Sequence, residues 1–545
     1  MTHQPETVLE TKVHQAVEWH LASARDYADP WSEVEVMAIV TGDDGTSLSV
    51  PAFWGGGAKW TLRIAVPRAG RWSIRTECSE PADAGLHGRS AVLNAEAVPE
   101  GEANALRRHG PVAMRADGQA FCHADGTPFY WLGDTWWMQS SERVAWPEDF
   151  GRLVDHRIRQ GFTVAQIVVG FPPDTTPFDG RDANAGGSPW REGYASINPA
   201  FFDAVDRRLS TMIEAGLVPC ILGSWGYHAM FMGAERMRAH WRYLVARYAA
   251  WPVIWCLAGE GAMPYYLSKD PAGETAALRA LWPTIARQVR ASDPYHRPIT
   301  LHPRRNSWDD TEDPQSLDFF MIQPGHLPNA PQNALQSLAG GRARFPGKII
   351  VNAEPPYEGH AGTNLADVQR YSFWTSMLSG AGGYTYGAAG IFQANDRRRP
   401  TGDRPDGGAY DAVFWDEALG FPGAQQVAQG HALLASLGYE RFEPHPEWAE
   451  IRLRWGAEAY PVAPRAFAAG VPGEVRLVYL PVRFYHWDGP LVRDLEPDGE
   501  YEAAYINPIS FERHEIGPVA ASDGTWRGPT LPHMQDWLLL LTRRR

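Results

Sequence analysis

The sequence predicts an α/β protein, a (β/α)8 TIM barrel flanked by two small all-β sandwich domains. Through the middle of the chain, eight near-continuous apolar runs alternate with amphipathic helical stretches. That is the pattern of parallel strands buried on both faces. The segments on either side instead show short strands broken by Gly, Pro and Asp. A chain of 545 residues also exceeds one compact core, and its length suggests roughly three domains.

Residues 1–11 read as a tail and 12–105 as an N-terminal β-sandwich, where GDDG, GGG and PRAG separate VEVMAIV, KWTLRIAV and RWSIRTEC. The polar stretch AVPEGEANALRRHG reads as a linker. The barrel is expected over 106–438, and AMRADGQAFCHADG predicts a hairpin ahead of its first strand. Its strands are FYWLGDTWW from 129, FTVAQIVVG from 162, LVPCILGSWG from 217 and VIWCLAGE from 253. They continue with RPITLHP from 297, DFFMIQPGH from 318, KIIVNAEPPYE from 348 and GAGGYTYGA from 380. Between them, NPAFFDAVDRRLSTMIEAG shows apolar residues at helical spacing, an Asn cap and a Gly stop. A doubly wound sheet would need a Gly-rich phosphate turn after its first strand, and GDTWW is not one. Residues 439–545, with RLVYLPV, YEAAYINP and DWLLLLT, read as a second β-sandwich.

A formal net charge of −14 argues against a grip on nucleic acid or anionic lipid. No run of 18 apolar residues exists to span a membrane. No secretory signal is visible, so a cytoplasmic location is expected. The four cysteines show no CxxC spacing, and neither metal nor cofactor is expected. A homo-oligomer is left open. The 23 tryptophans are mostly core, although a sugar's C–H face packs on an aromatic ring where a Trp falls at a strand end.

Barrel chemistry sits at the C-terminal ends of the strands. Those ends carry Asp134, Trp136 and Trp137; Phe171 and Asp174; Trp225 and His228; Glu260; His302; Gln323 and His326; Glu354 and Glu358; and Tyr384 and Tyr386. Glu260 closes the fourth strand and Glu354 the seventh. A glutamate there costs several kcal/mol to desolvate unless it is paired or has a task. Strands four and seven face each other across a barrel mouth, so the pair can flank one bond. Cleaving an acetal needs such a pair, one acid for the leaving oxygen and one carboxylate for the oxocarbenium-like carbon. The expectation is a retaining glycoside hydrolase with Glu260 as acid/base and Glu354 as nucleophile, acting on an oligosaccharide or glycoside. Asp134, Trp137, Trp225, His228, His302, His326, Glu358 and Tyr386 are the expected substrate ligands. Trp136 and Trp137 lie on opposite strand faces, so at most one faces the cleft. Glu358 is the competing nucleophile, ranked as a ligand because PPY carries it past the strand end. The insertion FPPDTTPFDGRDANAGGSPWREGY is expected to close a pocket suited to exo action.

FYWLGDTWW, VIWCLAGE, VNAEPPYEGH and GAGGYTYGAAGIFQ, in this order and spacing, resemble the apiosidase-like barrel family, which includes glycoside hydrolase family 140. The N-terminal sandwich resembles the β-domain of unknown function that precedes such barrels. The C-terminal piece, with YINPISFERHEIGP, is similar to a β-domain labelled collagen-binding; collagen binding is not expected from that label. The resemblance implies Glu260 at the acid/base position, Glu354 at the nucleophile position, and a furanoside or pentoside substrate. The chain departs from the pattern in having Glu260 where apiosidases have Asp, and Gly259 where related barrels have an Asn that holds a sugar 2-hydroxyl. Within the same mechanism the alternative is an exo-acting hexopyranosidase. From other classes the rivals are a non-catalytic carbohydrate-binding protein and a metal-dependent hydrolase using His228, His302 and His326.

Overall fold

The computed structural model describes residues 7–408, 412–451, 465–481, 489–497 and 499–544. Eight parallel strands form the central sheet, and all eight fall within the runs read above. They are β1 (Trp131–Trp136), β2 (Val164–Val168), β3 (Val218–Leu222), β4 (Ile254–Cys256), β5 (Ile299–Thr300), β6 (Phe320–Ile322), β7 (Ile350–Asn352) and β8 (Gly383–Tyr386). Their order is β5-β4-β3-β2-β1-β8-β7-β6, with every pairing parallel. The regular ladder stops between β5 and β6. Prolines 298 and 303 bracket β5 and have no N–H to give. The seam is held instead by Asp318 N–H donating to Ile299 O at 2.8 Å and Thr300 Oγ1 donating to Phe319 O at 2.9 Å.

Among the described residues, seven helices of twelve residues or more wrap the sheet: α1 (Glu148–Gln160), α2 (Pro199–Ala215), α3 (Ala234–Tyr248), α4 (Pro271–Ser292), α5 (Ala330–Arg344), α6 (Ala366–Met377) and α7 (Pro422–Ser436). The β5–β6 connection has only the 3-10 turns Ser307–Asp309 and Pro314–Ser316. As expected, α2 starts after Asn198 and stops at Gly216, whose φ of 91° suits glycine. Among the described residues no helix is long and apolar enough to cross a membrane.

Residues 7–11, read above as tail, form most of the strand Thr7–Lys12; residues 1–6 lie outside the described residues. Thr7–Lys12 pairs in parallel with Ser90–Glu96, at the edge of a five-stranded sheet faced by a three-stranded one. This sandwich packs on the helix layer, with Trp31 edge-on to Tyr243 at 5.0 Å and buried Arg63 2.8 Å from Asp206. The predicted hairpin pairs Val112–Met114 with Phe121–His123. It covers the barrel floor through Phe121, which contacts Trp131 at 5.4 Å and Phe319 at 5.0 Å. Beyond α7, a six-stranded and a three-stranded sheet follow, docked on α6 by Arg370 Nε donating to Asp536 at 2.9 Å.

Strand alternation decides which side chains see the mouth. On β1, Leu132, Asp134 and Trp136 point to the helix layer, leaving the other parity for the barrel interior. Asp134 is fully buried and accepts from Arg157 Nε at 2.6 Å and Trp136 Nε1 at 2.8 Å. The Arg157 guanidinium lies 5.4 Å from the Tyr386 ring centre, and Tyr386 Oη donates to Glu358 at 2.7 Å. Glu358 also accepts the Gly423 N–H at 3.0 Å, in the first turn of α7. Asp134, Tyr386 and Glu358 therefore correct the sequence expectation. They form a polar layer behind the barrel wall, not a lining of the cleft. Removing one partner of such a buried pair strands the other's charge and costs about 3–5 kcal/mol. Asp134→Ala is expected to lower the urea midpoint accordingly with an unchanged m-value; wild-type stability would refute a structural role.

Candidate active site

Three residues at the mouth precede a proline directly: His302 before Pro303, Gln323 before Pro324 and Glu354 before Pro355. A residue before proline is held extended, and the proline ends the ladder. Strands β5, β6 and β7 thus stop where these three side chains are presented. Glu260 follows β4 between Gly259 and Gly261, at a left-handed φ of 41°. Such a conformation in a non-glycine residue costs of order 1–3 kcal/mol and persists where the surroundings fix it.

Gln323 joins the two glutamates. Its Nε2 donates to Glu260 Oε1 at 3.1 Å and to Glu354 Oε1 at 3.3 Å. Those two oxygens consequently lie within about 6.4 Å of each other, the ceiling set by both bonds. Glu260 Oε2 faces Trp225 Nε1 at 3.3 Å. Glu354 has further donors: His326 Nε2 is 3.1 Å from Oε1, and His302 Nε2 is 3.2 Å from Oε2. The Tyr357 N–H donates to His326 Nδ1 at 3.3 Å, which leaves the ring proton on Nε2, facing Glu354.

The two carboxyls are pushed in opposite directions. Burial raises Glu260 to about 8, and the charge of Glu354 adds to the rise against the Gln323 hydrogen bond. Burial would raise Glu354 too, but the hydrogen bonds from His302 and His326, joined by their charge once the rings are protonated, outweigh it and bring the group to about 2. Near neutrality Glu260 is therefore an acid and Glu354 an anion.

Aromatic rings wall the pair. Trp137 stands edge-on to His302 at 5.2 Å and to Trp225 at 5.3 Å. Its Nε1 donates to Tyr357 Oη at 2.9 Å, and that hydroxyl is hydrogen-bonded to Glu354, which with burial holds the phenol well above its ordinary range. Of the expected residues, the structure brings together Glu260, Glu354, Trp137, Trp225, His302 and His326. His228 does not join them. It is fully buried, its Nε2 lies 2.9 Å from Pro172 O, and burial lowers its pKa to about 3. The three-histidine arrangement of the metal-hydrolase rival is not formed. Gln323 was marked only as a strand end, and Tyr357 only as part of a spacer. The signal for Gln323 was its place before a proline, shared with His302 and Glu354.

The family model described as the apiosidase-like catalytic domain matches residues 115–441. The chain belongs to the apiosidase-like family. It is accordingly a glycoside hydrolase. A domain of unknown function (DUF5060) matches residues 10–79, within the N-terminal sandwich. No curated protein matches the sequence. Among solved structures, a Bacteroides vulgatus ATCC 8482 protein provisionally named a glycoside hydrolase is 17% identical. It aligns over 98% of this chain and 100% of its own with a TM-score of 0.70. A glycoside hydrolase family 5 protein from the same organism is 20% identical over 80% of this chain and 93% of its own, TM-score 0.61. A third structure, titled glycoside hydrolase, is 20% identical over 80% of this chain and 97% of its own, TM-score 0.60. At these identities the likeness is one of fold.

Within this apiosidase-like barrel, Gly259 has a steric cause. A Cβ there would lie 2.1 Å from Trp225 Cε3, so the indole fills the space of a side chain at 259. The same indole reaches Glu260. The electrostatic arrangement is open to measurement: carboxyl 13C NMR should show one glutamate titrating near 8. Glu354→Gln should move that titration down while leaving it above 4.5, because burial, the larger cause, remains. A Glu260 that titrates at the ordinary value in the wild type would refute the arrangement.

Proposed function

We propose that this protein is a retaining glycoside hydrolase working by double displacement, with Glu260 as acid/base and Glu354 as nucleophile. The observation that carries the reading is the Gln323 amide shared by both carboxylates. It caps the separation of their Oε1 atoms at about 6.4 Å, below the ~6.5–9.5 Å that an inverting pair needs for a water between its carboxyls, which supports the retaining geometry.

In the first step Glu260 gives its proton to the glycosidic oxygen while Glu354 attacks the anomeric carbon. The C–O bond to the leaving group breaks, the leaving group departs as an alcohol, and a glycosyl ester forms on Glu354. Glu260, now a carboxylate, then takes a proton from water, and the resulting hydroxide displaces Glu354 from the sugar. Two inversions return the starting configuration. His302, His326 and Tyr357 hold Glu354 ionised and oriented before attack, and take up its charge when it leaves. Trp137 and Trp225, packed edge-on against each other, wall the pocket in which the sugar meets the two carboxyls. The family's name favours a furanoside or another pentoside as the glycosyl unit.

NMR of the first-formed sugar should show the substrate's anomeric configuration; an inverted product would refute Glu354 as nucleophile. Glu260→Gln should lower kcat/KM for alkyl glycosides about 10²–10⁴-fold, with little loss for dinitrophenyl glycosides, whose leaving group needs no proton. The kcat/KM profile should fall on its alkaline side as Glu260 loses its proton near 8, and on its acid side only as Glu354 gains one near 2. Loss of activity centred near pH 4.5 would contradict the assignment.

A further inference from the structure

The loop that carries Glu260 also carries two tyrosines, Tyr265 and Tyr266, before α4 begins. Tyr266 Oη donates to Asp174 Oδ1 at 2.5 Å, across to the insertion that follows β2. Asp174 sits at a left-handed φ of 66°, and among the described residues its Oδ2 has no hydrogen-bond partner. From Tyr266 an aromatic ledge runs outward. Tyr265 is 6.0 Å from Tyr266, and Phe231 stands edge-on to Tyr265 at 4.9 Å. Phe231 is 42% exposed, with Met230 and Leu267 also exposed nearby in sequence. An exposed ring packed edge-on against another is pre-oriented, so a ligand that covers it orders little.

The chemistry of the acid fixes which part of a substrate meets this ledge. Glu260 must reach the glycosidic oxygen, so the leaving group lies on the side of Glu260 and its loop. We propose that Tyr265 and Phe231, with Asp174 held by Tyr266, form the subsite for the leaving group, and that this group is a second sugar unit. Its C–H face lies on the rings and one hydroxyl donates to Asp174 Oδ2. An aryl group would use the ledge and leave the carboxylate idle. This inference rests on Glu260 being the acid.

A panel of pentofuranosyl, pentopyranosyl and hexopyranosyl fluorides first identifies the glycosyl unit, because fluoride departs without a ring on the ledge. The kcat/KM of the matching disaccharide and 4-nitrophenyl glycoside is then taken relative to the fluoride, in wild type, Phe231→Ala and Asp174→Asn. The disaccharide-to-fluoride ratio is expected to fall about tenfold in each variant, the size of one lost stacking or charged hydrogen-bond contact. The nitrophenyl-to-fluoride ratio should fall in Phe231→Ala alone. Unchanged ratios in both variants would overturn the subsite. A fall confined to Phe231→Ala for both substrates would overturn the sugar assignment in favour of an aryl group. A wild-type enzyme that hydrolyses no fluoride would overturn the glycosidase reading itself, and this inference with it.

Discussion

Two carboxyls that share one amide donor inside a barrel mouth resist carrying charge together. At about 6 Å and an effective dielectric near 20, their repulsion is roughly 3 kcal/mol, or about two pKa units. The surroundings decide which one gives up its proton. Glu354 is met by two imidazoles and a phenol, whereas Glu260 has an indole N–H and one hydrogen of the shared amide. Acid and anion roles follow from that unequal supply of donors. Gln323 is the hinge of the arrangement, since it fixes the spacing while favouring neither side strongly.

The donors come from the half of the barrel where the regular ladder is interrupted. Strands β5, β6 and β7 are two or three residues long, and one or two positions beyond each stands a residue followed by proline. Short strands cost backbone hydrogen bonds, yet they bring His302, Gln323 and Glu354 to the mouth with their backbones held extended. The well-laddered half, from β1 to β3, supplies the aromatic wall through Trp137 and Trp225. Rigidity and chemistry are thus divided around the ring.

Much of this was legible in the amino-acid sequence. The eight apolar runs mark eight strands, because a strand buried on both faces has no polar alternation to hide it. Glu260 and Glu354 stood out since a charged group closing such a run needs a reason to be there. Strand parity was the harder matter. Alternation sets Trp137 apart from Trp136, and the same rule applied to Asp134 and Tyr386 places both behind the wall, where Arg157 and Glu358 meet them. His228 opens a short helix and turns inward to a backbone carbonyl. Gln323 and Tyr357 were not legible as partners of the glutamates. Neither is charged, so neither pays a desolvation penalty large enough to draw notice, and their importance lies in contacts between strands distant in sequence.

The Trp225 ring over Gly259 ties the history of these two positions together. Introducing an asparagine at 259, as related barrels have, is blocked while the indole is in place. Shrinking residue 225 first forfeits the N–H that reaches Glu260 and leaves a void beside the acid. Either change alone is opposed by packing, so the residue types at 225 and 259 are coupled.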